Sequence, residues 1–424
     1  MLNIMGLKSR NLITVPLDLP DVTVLSVSLN ERRDVMITVE STQIGTVCQH
    51  CGQAITKFHS RDRGLELRHL PILGQRTYIR LQPQRYACAR CAGKTTTQTL
   101  AWYASKGPHT HAYDDYLMLQ LINSTVEDVS RKEDVGYDAV EGALARRIQG
   151  QVTWAGFSEL GTLGIDEIAL TKGHDNFVAI VTTQQTDGHV AILAILPDRK
   201  KETVRQFLDT IPAHLRATLH TVCTDMWDGY VNAVKEFAAA QDVTLVVVID
   251  RFHVAKHYRD GVDQLRKREG RRLKQELPES EYAEFKGVMW ILRKNNQDLT
   301  PDERKRLRCL FGMAPTLKSA YTLREELTAI FELALTKEQA KTRLQKWCAK
   351  VRRSALTCFD SFLKTLTNWL DEIVNYFIDR RSSGFVEGLN NKIKTLKRRC
   401  YGIARVTTLF QRLYLDLEGY RRLA

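Results

Sequence analysis

The sequence contains three short apolar runs that each carry an aspartate: LGTLGIDEIAL with Asp166, LHTVCTD with Asp225 and TLVVVID with Asp250. Runs of this length and apolarity are typical of strands buried within a sheet. Two segments suited to helices, KETVRQFLDTIP and WDGYVNAVKEFAAA, separate them. The alternation predicts a layered α/β sheet, and no other feature constrains the fold of this chain as strongly.

A hairpin completes this sheet. The segments NFVAIVTTQQTDG and HVAILAILPD flank a turn at Asp187-Gly188 and follow the strand that carries Asp166. The predicted order is therefore β-β-β-α-β-α-β, followed by a long excursion and a late helix. This order matches a ribonuclease-H-like fold, with acids on the first and fourth strands and on the late helix.

The late helix is predicted in SSGFVEGLNNKIKTLKRRCYG. At 100° per residue, one sector is apolar and should pack on the sheet: Phe385, Leu389, Ile393 and Leu396. The opposite sector carries an acid and cations: Glu387, Asn391, Lys394 and Arg398. We interpret Glu387 as a metal ligand and Lys394 and Arg398 as contacts for DNA phosphates. A solvated glutamate above an Asn and a Lys is the alternative.

Three carboxylates from separate segments, Asp166, Asp225 and Glu387, can hold two divalent cations roughly 3.5–4 Å apart. Hard cations such as Mg²⁺ prefer carboxylate oxygen and keep positions open for substrate phosphate. Such a pair activates water for displacement at a phosphodiester. Asp250 is an alternative to Asp225 as the second ligand. His253 either contacts a phosphate, positions a base or packs beside the sheet.

Four of the nine cysteines form two pairs, Cys48-x-x-Cys51 and Cys88-x-x-Cys91. Each pair places two sulfurs on one tight turn, so two pairs complete a tetrahedral shell for Zn²⁺. Four thiolates leave no open position, so the predicted zinc site is structural. Four free buried thiols are the alternative.

Residues 112–148 contain three apolar stripes separated by polar turns. Thr125, with Asp128 three residues later, can cap a second helix, and Asp134-Val135-Gly136 makes a break. Short helices around such a turn are consistent with a helix-turn-helix, in which Arg146 and Arg147 could meet phosphates. An ordinary helical linker is the alternative.

Positive charge is concentrated near these acids. The chain has 62 Lys and Arg against 49 Asp and Glu, a net charge of +13. Residues 392–405 hold six Lys or Arg and no acid, and residues 251–274 hold nine against three acids. The excess suits a polyanionic partner, although a charge run is also typical of a solvated face.

No apolar segment reaches the roughly 20 residues of a membrane span, and the first residues lack the apolar core of a signal peptide.

The two cysteine pairs, followed in order by GIDEIA, TDMWDGY, VIDRFHV and EGLNNKIKTLKRRCYG, resemble the DDE transposases of the ISL-three insertion-sequence family. The resemblance covers nearly the whole chain. It implies that Asp166, Asp225 and Glu387 are the catalytic acids, with Mg²⁺ or Mn²⁺ as cofactor. It further implies cleavage of element ends, joining of the 3′ hydroxyls to target DNA, and a homo-oligomer, a dimer when two ends are paired. A bacterial, cytoplasmic protein associated with the nucleoid is expected.

The predicted fold class is multidomain α+β. Its segments are a zinc-ribbon-like β module (1–105), a helix-turn-helix region (106–155), the first part of a ribonuclease-H-like catalytic core (156–259), an all-α insertion (260–371) and the C-terminal helices of the core (372–424). A metal-dependent nuclease without strand transfer, or a DNA-binding regulator with a silent core, are the alternative functions.

Overall fold

The computed structural model describes residues 16–170, 177–283, 285, 287–382, 384–403 and 405–423. The chain forms two compact units. The first contains the residues up to Gly150, Arg398–Tyr401 and the segment from Gln411 onward, and the second contains Gln151–Lys397 and Gly402–Phe410. This division is coarser than the five predicted segments, whose boundaries stay predictions. The first 15 residues of the predicted zinc module lie outside the described residues.

The first unit begins with β structure. Its strands are β1 (Val22–Leu29), β2 (Val35–Ser41), β3 (Thr46–Val47), β4 (Ala54–Ile55), β5 (Phe58–Arg61), β6 (Leu65–Ile72), β7 (Gln75–Leu81), β8 (Gln84–Ala87) and β9 (Thr95–Thr97). The largest sheet of this unit has the order β1-β2-β7-β6, in which β1 and β2 form an antiparallel hairpin. Small sheets β3-β4 and β5-β8-β9 support the two cysteine turns.

A helical layer completes the first unit. It consists of α1 (His111–Leu121), α2 (Val126–Glu133), α3 (Tyr137–Arg147) and the part of α17 (Val406–Leu423) that belongs to this unit. The Thr125 side chain accepts the Asp128 amide and caps α2, and Asp134 ends α2 in a left-handed conformation. The cap and the break were both predicted. Leu415 of α17 packs in the same core as the apolar faces of α1 and α3.

Polar contacts also tie α17 to the loops of this unit. The buried Arg412 guanidinium donates to the carbonyls of Leu121 and Ser124, at 3.2 and 2.6 Å. The Asp416 carboxylate accepts the Asn123 amide at 2.9 Å. Because these groups satisfy backbone atoms at helix ends, the first unit is completed by residues from the far end of the chain.

The second unit contains a mixed five-stranded sheet. Its strands are β10 (Gly161–Ala169), β11 (Phe177–Gln184), β12 (Val190–Leu196), β13 (Leu219–Thr224) and β14 (Val246–Ile249), in the order β12-β11-β10-β13-β14. The first three pair antiparallel, and β13 and β14 extend the sheet in parallel beyond β10. Helices α4 (Lys201–Asp209) and α6 (Asp228–Gln241) lie where they were predicted, and a short α5 (Ala213–Arg216) precedes β13.

A helical stretch follows the sheet. It contains α7 (Arg251–Glu276), α8 (Glu279–Ala283), α9 (Val288–Arg293), α10 (Pro301–Met313), α11 (Pro315–Glu332), α12 (Lys337–Arg353), α13 (Asp360–Asn368), α14 (Leu370–Val374) and α15 (Tyr376–Asp379). It begins directly after β14, before the predicted boundary at residue 260. Its apolar faces join the core of the sheet, where Tyr258 stacks on Phe359 at 4.5 Å between ring centroids. In the described part of the chain, no helix is long and apolar enough to cross a membrane.

Helix α16 (Gly384–Arg399) carries Glu387 and packs on β10. Leu389, Ile393 and Leu396 are buried, as predicted from the periodicity. The close approach requires a glycine on the strand, because a Cβ atom at Gly164 would stand 2.3 Å from Val386 Cγ2. Gly164 precedes Asp166 by two residues, so the two positions share one face of the sheet.

Candidate active site and zinc site

The three predicted acids line one cleft. Ile165 of β10 is the register partner of Thr224 at the end of β13, so Asp166 and Asp225 follow from neighbouring parallel strands. Glu387 reaches the cleft from the first turn of α16. The cleft has a volume of about 560 Å³. Sequence reasoning therefore identified side chains that the fold brings to one place.

The Asp166 carboxylate is held by two donors. The Asn390 side-chain amide donates to Oδ2 at 2.5 Å, and the Glu167 backbone N–H donates to Oδ1 at 2.7 Å. Burial, and then the negative charge of Asp225, raise the pKa of Asp166 to about 6. A divalent cation between these acids would favour the ionised carboxylates and oppose this shift.

His253 contacts the second acid. Its Nε2 lies 2.7 Å from Oδ1 of Asp225. Burial opposes protonation of this imidazole, but the hydrogen bond to Asp225 and the surrounding carboxylates outweigh burial and raise the pKa of His253. The observed contact is with Asp225, whereas contact with a phosphate or a base stays a prediction.

Asp250, the alternative second acid, is a buried helix cap. It precedes α7, and its Oδ1 accepts the Phe252 amide at 3.0 Å. It also lies among the residues that line the cleft. Its hydrogen bond to the helix end gives it a structural role that Asp225 does not have.

Sequence reasoning missed Asn390. Helical periodicity places Asn391, its exposed neighbour, on the face of Glu387. Asn390 is buried, lies three residues after Glu387 and bonds Asp166. Asn390 at i+3 and Asn391 at i+4 are both within helical reach of Glu387, so spacing alone does not distinguish them. Its Oδ1 atom is buried and has no hydrogen-bond partner among the described residues.

Two further buried hydroxyls lie beside the acids. Tyr230 Oη and Thr224 Oγ1 also have no hydrogen-bond partner in the part of the chain that the structure describes. Burial, followed by the charges of Glu167, Asp166 and Asp225, raises the pKa of Tyr230. The Tyr230 hydroxyl therefore stays protonated near these carboxylates.

Glu167 also lines the cleft, although strict alternation along β10 would place it on the opposite face of the sheet from Asp166. It pairs with Arg199 at 3.0 Å. The Arg199 guanidinium lies over the ring of Trp227, at 4.6 Å from its centroid, and that ring is partly exposed. Glu167 is thus engaged by an arginine at the edge of the cleft.

The predicted phosphate contacts differ in their surroundings. Lys394 lines the cleft and is exposed, and Arg398 is exposed in the portion of α16 that belongs to the first unit. Arg146 and Arg147 each form a two-point ion pair within the first unit. Arg146 donates to the buried Asp114 at 2.7 and 2.8 Å, and Arg147 donates to Asp115 at 2.5 Å. These pairs give both arginines a structural contact, and their contact with DNA stays a prediction.

The four predicted zinc ligands converge in the first unit. Cys48 Sγ lies 4.0 Å from Cys91 Sγ, and Cys51 Sγ lies 3.7 Å from Cys88 Sγ. All four sulfurs lie within 4.8 Å of one another. A tetrahedron with Zn–S bonds of about 2.3 Å has S···S edges of about 3.8 Å, so the cluster fits a zinc ion. The His50 backbone amide lowers the pKa of Cys48 to about 6 and favours its thiolate.

Within the described residues, this cysteine cluster is the only group of three or more His, Cys, Asp or Glu residues packed that closely. Asp166, Asp225 and Glu387 share a cleft at wider spacing. The cysteines therefore form a compact site for one ion, whereas the acids border an open site.

Family profiles match both regions. A profile described as a transposase, DDE_Tnp_ISL3, matches residues 163–413. A second, described as the zinc-finger of transposase IS204/IS1001/IS1096/IS1165, matches residues 45–91. The class of protein is thus a zinc-ribbon enzyme that acts on DNA. The chain belongs to the ISL3 family of DDE transposases, as its motifs predicted.

Two relatives extend over most of the chain. The chain is 26% identical over 391 residues to the transposase for insertion sequence element IS1001 of Bordetella parapertussis, and the match covers 92% of this chain and 93% of that protein. It is 25% identical over 404 residues to the transposase for IS1557 of Mycobacterium tuberculosis, covering 88% and 87%. The Drosophila P element transposase strand transfer complex aligns over 73% of this chain and 92% of that chain, at 9% identity and a TM-score of 0.37.

Proposed function

We propose that this transposase cleaves the ends of an insertion sequence and joins the freed 3′ hydroxyls to target DNA, with Asp166, Asp225 and Glu387 as its catalytic acids. The observation that carries the proposal is the single cleft that these acids share with Lys394. The acids suit divalent cations, and the lysine suits a DNA phosphate.

The sheet supports a ribonuclease-H-like core. Three antiparallel strands, β10 to β12, are extended by parallel β13 and β14 on the other side of β10. Asp166 lies on the first of these strands, Asp225 directly after the fourth, and Glu387 on a later helix. This is the placement that we predicted for the acids of such a core.

The donor set fits Mg²⁺ or Mn²⁺. Besides the carboxylates, it contains the Asn390 Oδ1 atom, which has no partner among the described residues. Divalent cations held by these residues would activate a water and stabilise the leaving 3′ oxygen. Asn390 holds the Asp166 carboxylate in place, His253 holds Asp225, and Lys394 binds the phosphate backbone. These side chains fix the acids before DNA arrives, which favours the reactive geometry.

We assign recognition of the element ends to the first unit. Helices α1 to α3 have the lengths and the tight turns of a helix-turn-helix, and the zinc ribbon stiffens the β structure that precedes them. The relatives are named for insertion sequence elements, which supports such ends as the substrate. Since an element has two ends, we propose a homodimer in the complex that pairs them, acting on the bacterial chromosome in the cytoplasm.

A strand-transfer assay tests the reaction. Purified protein is incubated with Mg²⁺ or Mn²⁺, a labelled duplex from the end of its element with an exposed 3′ hydroxyl, and a supercoiled plasmid. We expect joined products from the parent protein and none from Asp166→Asn, with end binding retained. Nicking without joining would support the nuclease alternative. Binding without any metal-dependent cleavage would support the regulator.

The second acid is tested by a pair of variants. We expect Asp225→Asn to abolish cleavage. Asp250→Asn should retain cleavage, because asparagine caps a helix about as well as aspartate does. Mass spectrometry excludes deamidation, and circular dichroism checks folding. Cleavage by Asp225→Asn together with its loss in Asp250→Asn would show that Asp250 is the second ligand.

A further inference from the structure

A second cavity adjoins the carboxylate cleft in the second unit. It has a volume of about 410 Å³ and lies among the start of α7, the middle of α11 and the start of α16. The two cavities have five lining residues in common: Asp250, Phe252, Arg259, Arg293 and Glu387. Because Glu387 borders both, whatever occupies the second cavity lies next to the proposed catalytic centre.

The walls of this cavity combine apolar, basic and acidic side chains. Apolar surface comes from Val254, Ala255, Leu327 and Phe331, and positive charge comes from Arg251, Arg259, Arg293 and Arg324. The lining also includes Asp250, Glu332 and Glu387. A site for a bare phosphate does not need the apolar wall or the acids. A nucleotide can use every one of these groups. The apolar wall suits the faces of its base, the acids suit the hydrogen-bond donors of the base, and the arginines suit its anionic phosphate.

The arginines are not equivalent. Arg293 pairs with Asp263 at 3.0 Å, and Arg324 donates to the backbone carbonyls of Leu292 and Lys294. In the described part of the chain, neither Arg251 nor Arg259 forms an ion pair with an acid. These two guanidinium groups are therefore available to a phosphate.

Phe252 offers a stacking surface at the boundary between the two cavities. Its ring is 40% exposed, and the Arg259 guanidinium lies over it at 5.3 Å from the centroid. Aromatic rings and guanidinium planes are the surfaces on which unpaired bases stack, whatever their sequence. A base inside a duplex cannot enter a cavity of this size, so the occupant has left its helix.

We propose that this cavity holds one unpaired nucleotide of the DNA strand adjacent to the bond that is cut. The proposal rests on the proposed function for its biological setting, because it takes DNA as the substrate of the neighbouring cleft. The base packs against Ala255, Leu327 and Phe252, and its phosphate binds Arg251 and Arg259.

The test uses two single-stranded pentadeoxynucleotides labelled at the 5′ end, one with a central 2-aminopurine and one with a central abasic site. Their affinities for the full-length protein are measured by fluorescence anisotropy without added divalent cation. We expect the base-containing strand to bind roughly tenfold more tightly, the effect of one stacked base. The fluorescence of 2-aminopurine should also change on binding, because its stacking partners change.

Ala255→Trp fills the cavity and should abolish both the affinity difference and the fluorescence change. Ala255 is exposed on α7, so the larger side chain does not disturb the core. His257→Trp is the matched control, since His257 is exposed on the same helix and lines neither cavity. It should behave as the parent protein.

Equal affinity for the two strands, or a base preference that survives in Ala255→Trp, would overturn the proposal. A parallel nicking assay with Mg²⁺ separates this result from failure of the proposed function. Nicking without base preference would support the proposed nuclease chemistry and contradict the nucleotide site. Base preference without nicking would support the nucleotide site and contradict the proposed reaction.

Discussion

At the scale of single residues, the cleft is organised by neutral and cationic groups that hold the acids in place. The Asn390 side-chain amide donates a hydrogen bond to Asp166, and the His253 imidazole contacts the Asp225 carboxylate. Outer partners of this kind orient ligands and keep them available to a metal ion. Their removal should therefore change metal binding itself, even before DNA is added.

We expect Asn390→Ala to weaken Mn²⁺ binding by roughly 10–100-fold, because Asp166 loses its amide donor. Electron paramagnetic resonance of free Mn²⁺ measures this without any reaction. Asn391→Ala is the control, since Asn391 is the exposed neighbour on the same helix. Unchanged Mn²⁺ affinity in Asn390→Ala would limit Asn390 to packing.

Arg146 provides a second test at this scale. Its partner Asp114 is fully buried, so Arg146→Ala leaves a buried carboxylate with only His109 beside it. We expect a loss of about 3 kcal/mol in the free energy of unfolding. Arg147→Ala breaks the more exposed pair with Asp115 and should cost about 1 kcal/mol or less. Urea unfolding measures both.

DNA binding by the same two variants tests our sequence-based prediction for these arginines. A folded Arg146→Ala protein with a weaker, less salt-dependent affinity would support phosphate contact. Stability loss with unchanged DNA affinity would support a structural role alone.

At the scale of elements, the site depends on how closely α16 approaches β10. The strand offers a glycine where a side chain would collide with Val386. Glu387 follows Val386 directly, so the strand–helix distance sets the distance from Glu387 to Asp166. Packed interfaces do not adjust to an added methyl group without displacement.

Gly164→Ala should therefore reduce cleavage at least tenfold while the protein remains folded, because the helix must move away from the strand. Gly312→Ala is the control, since a Cβ at Gly312 meets nothing within 4 Å. Single-turnover cleavage rates and circular dichroism check the prediction. Full activity of Gly164→Ala would show that Val386 and its neighbours can adjust without moving Glu387.

The strands were predictable because a buried strand has a local signature, as TLVVVID and LHTVCTD show. The candidate acids could be predicted too, because each of these runs ends in an aspartate. Asn390 could not be separated from Asn391 by periodicity, since adjacent helical positions differ by only 100° and the packing partner decides which is buried. Strict strand alternation would place Glu167 away from the cleft, but Glu167 lies near the end of β10, lines the cleft and pairs with Arg199. The return of α17 to the first unit depends on distant contacts that have no local pattern.

At the scale of the whole molecule, the net charge of +13 suits a DNA partner. We expect Lys394→Ala with Arg398→Ala to weaken binding to element ends and to unrelated DNA alike. If both residues contact phosphates, the slope of log K against log salt should fall by about two. Filter binding over a range of NaCl concentrations measures it.

Lys305→Ala with Arg308→Ala is the matched control, because it removes the same charge from an exposed part of α10. An equal loss of affinity in both double variants would mean that net charge alone is responsible. An unchanged salt slope in the Lys394 and Arg398 variant would mean that neither side chain contacts the backbone.

The contacts of α17 have a consequence for synthesis on the ribosome. Gln411 donates to the carbonyl of Ile148, a residue 263 positions earlier. The helices that we assign to end recognition therefore emerge long before the segment that completes their core. A nascent or prematurely terminated chain would carry an unfinished first unit, and we expect such fragments to be poor competitors for element ends. Only a chain translated at least through α17 can complete this unit, so the end recognition that we propose would require the presence of the catalytic core.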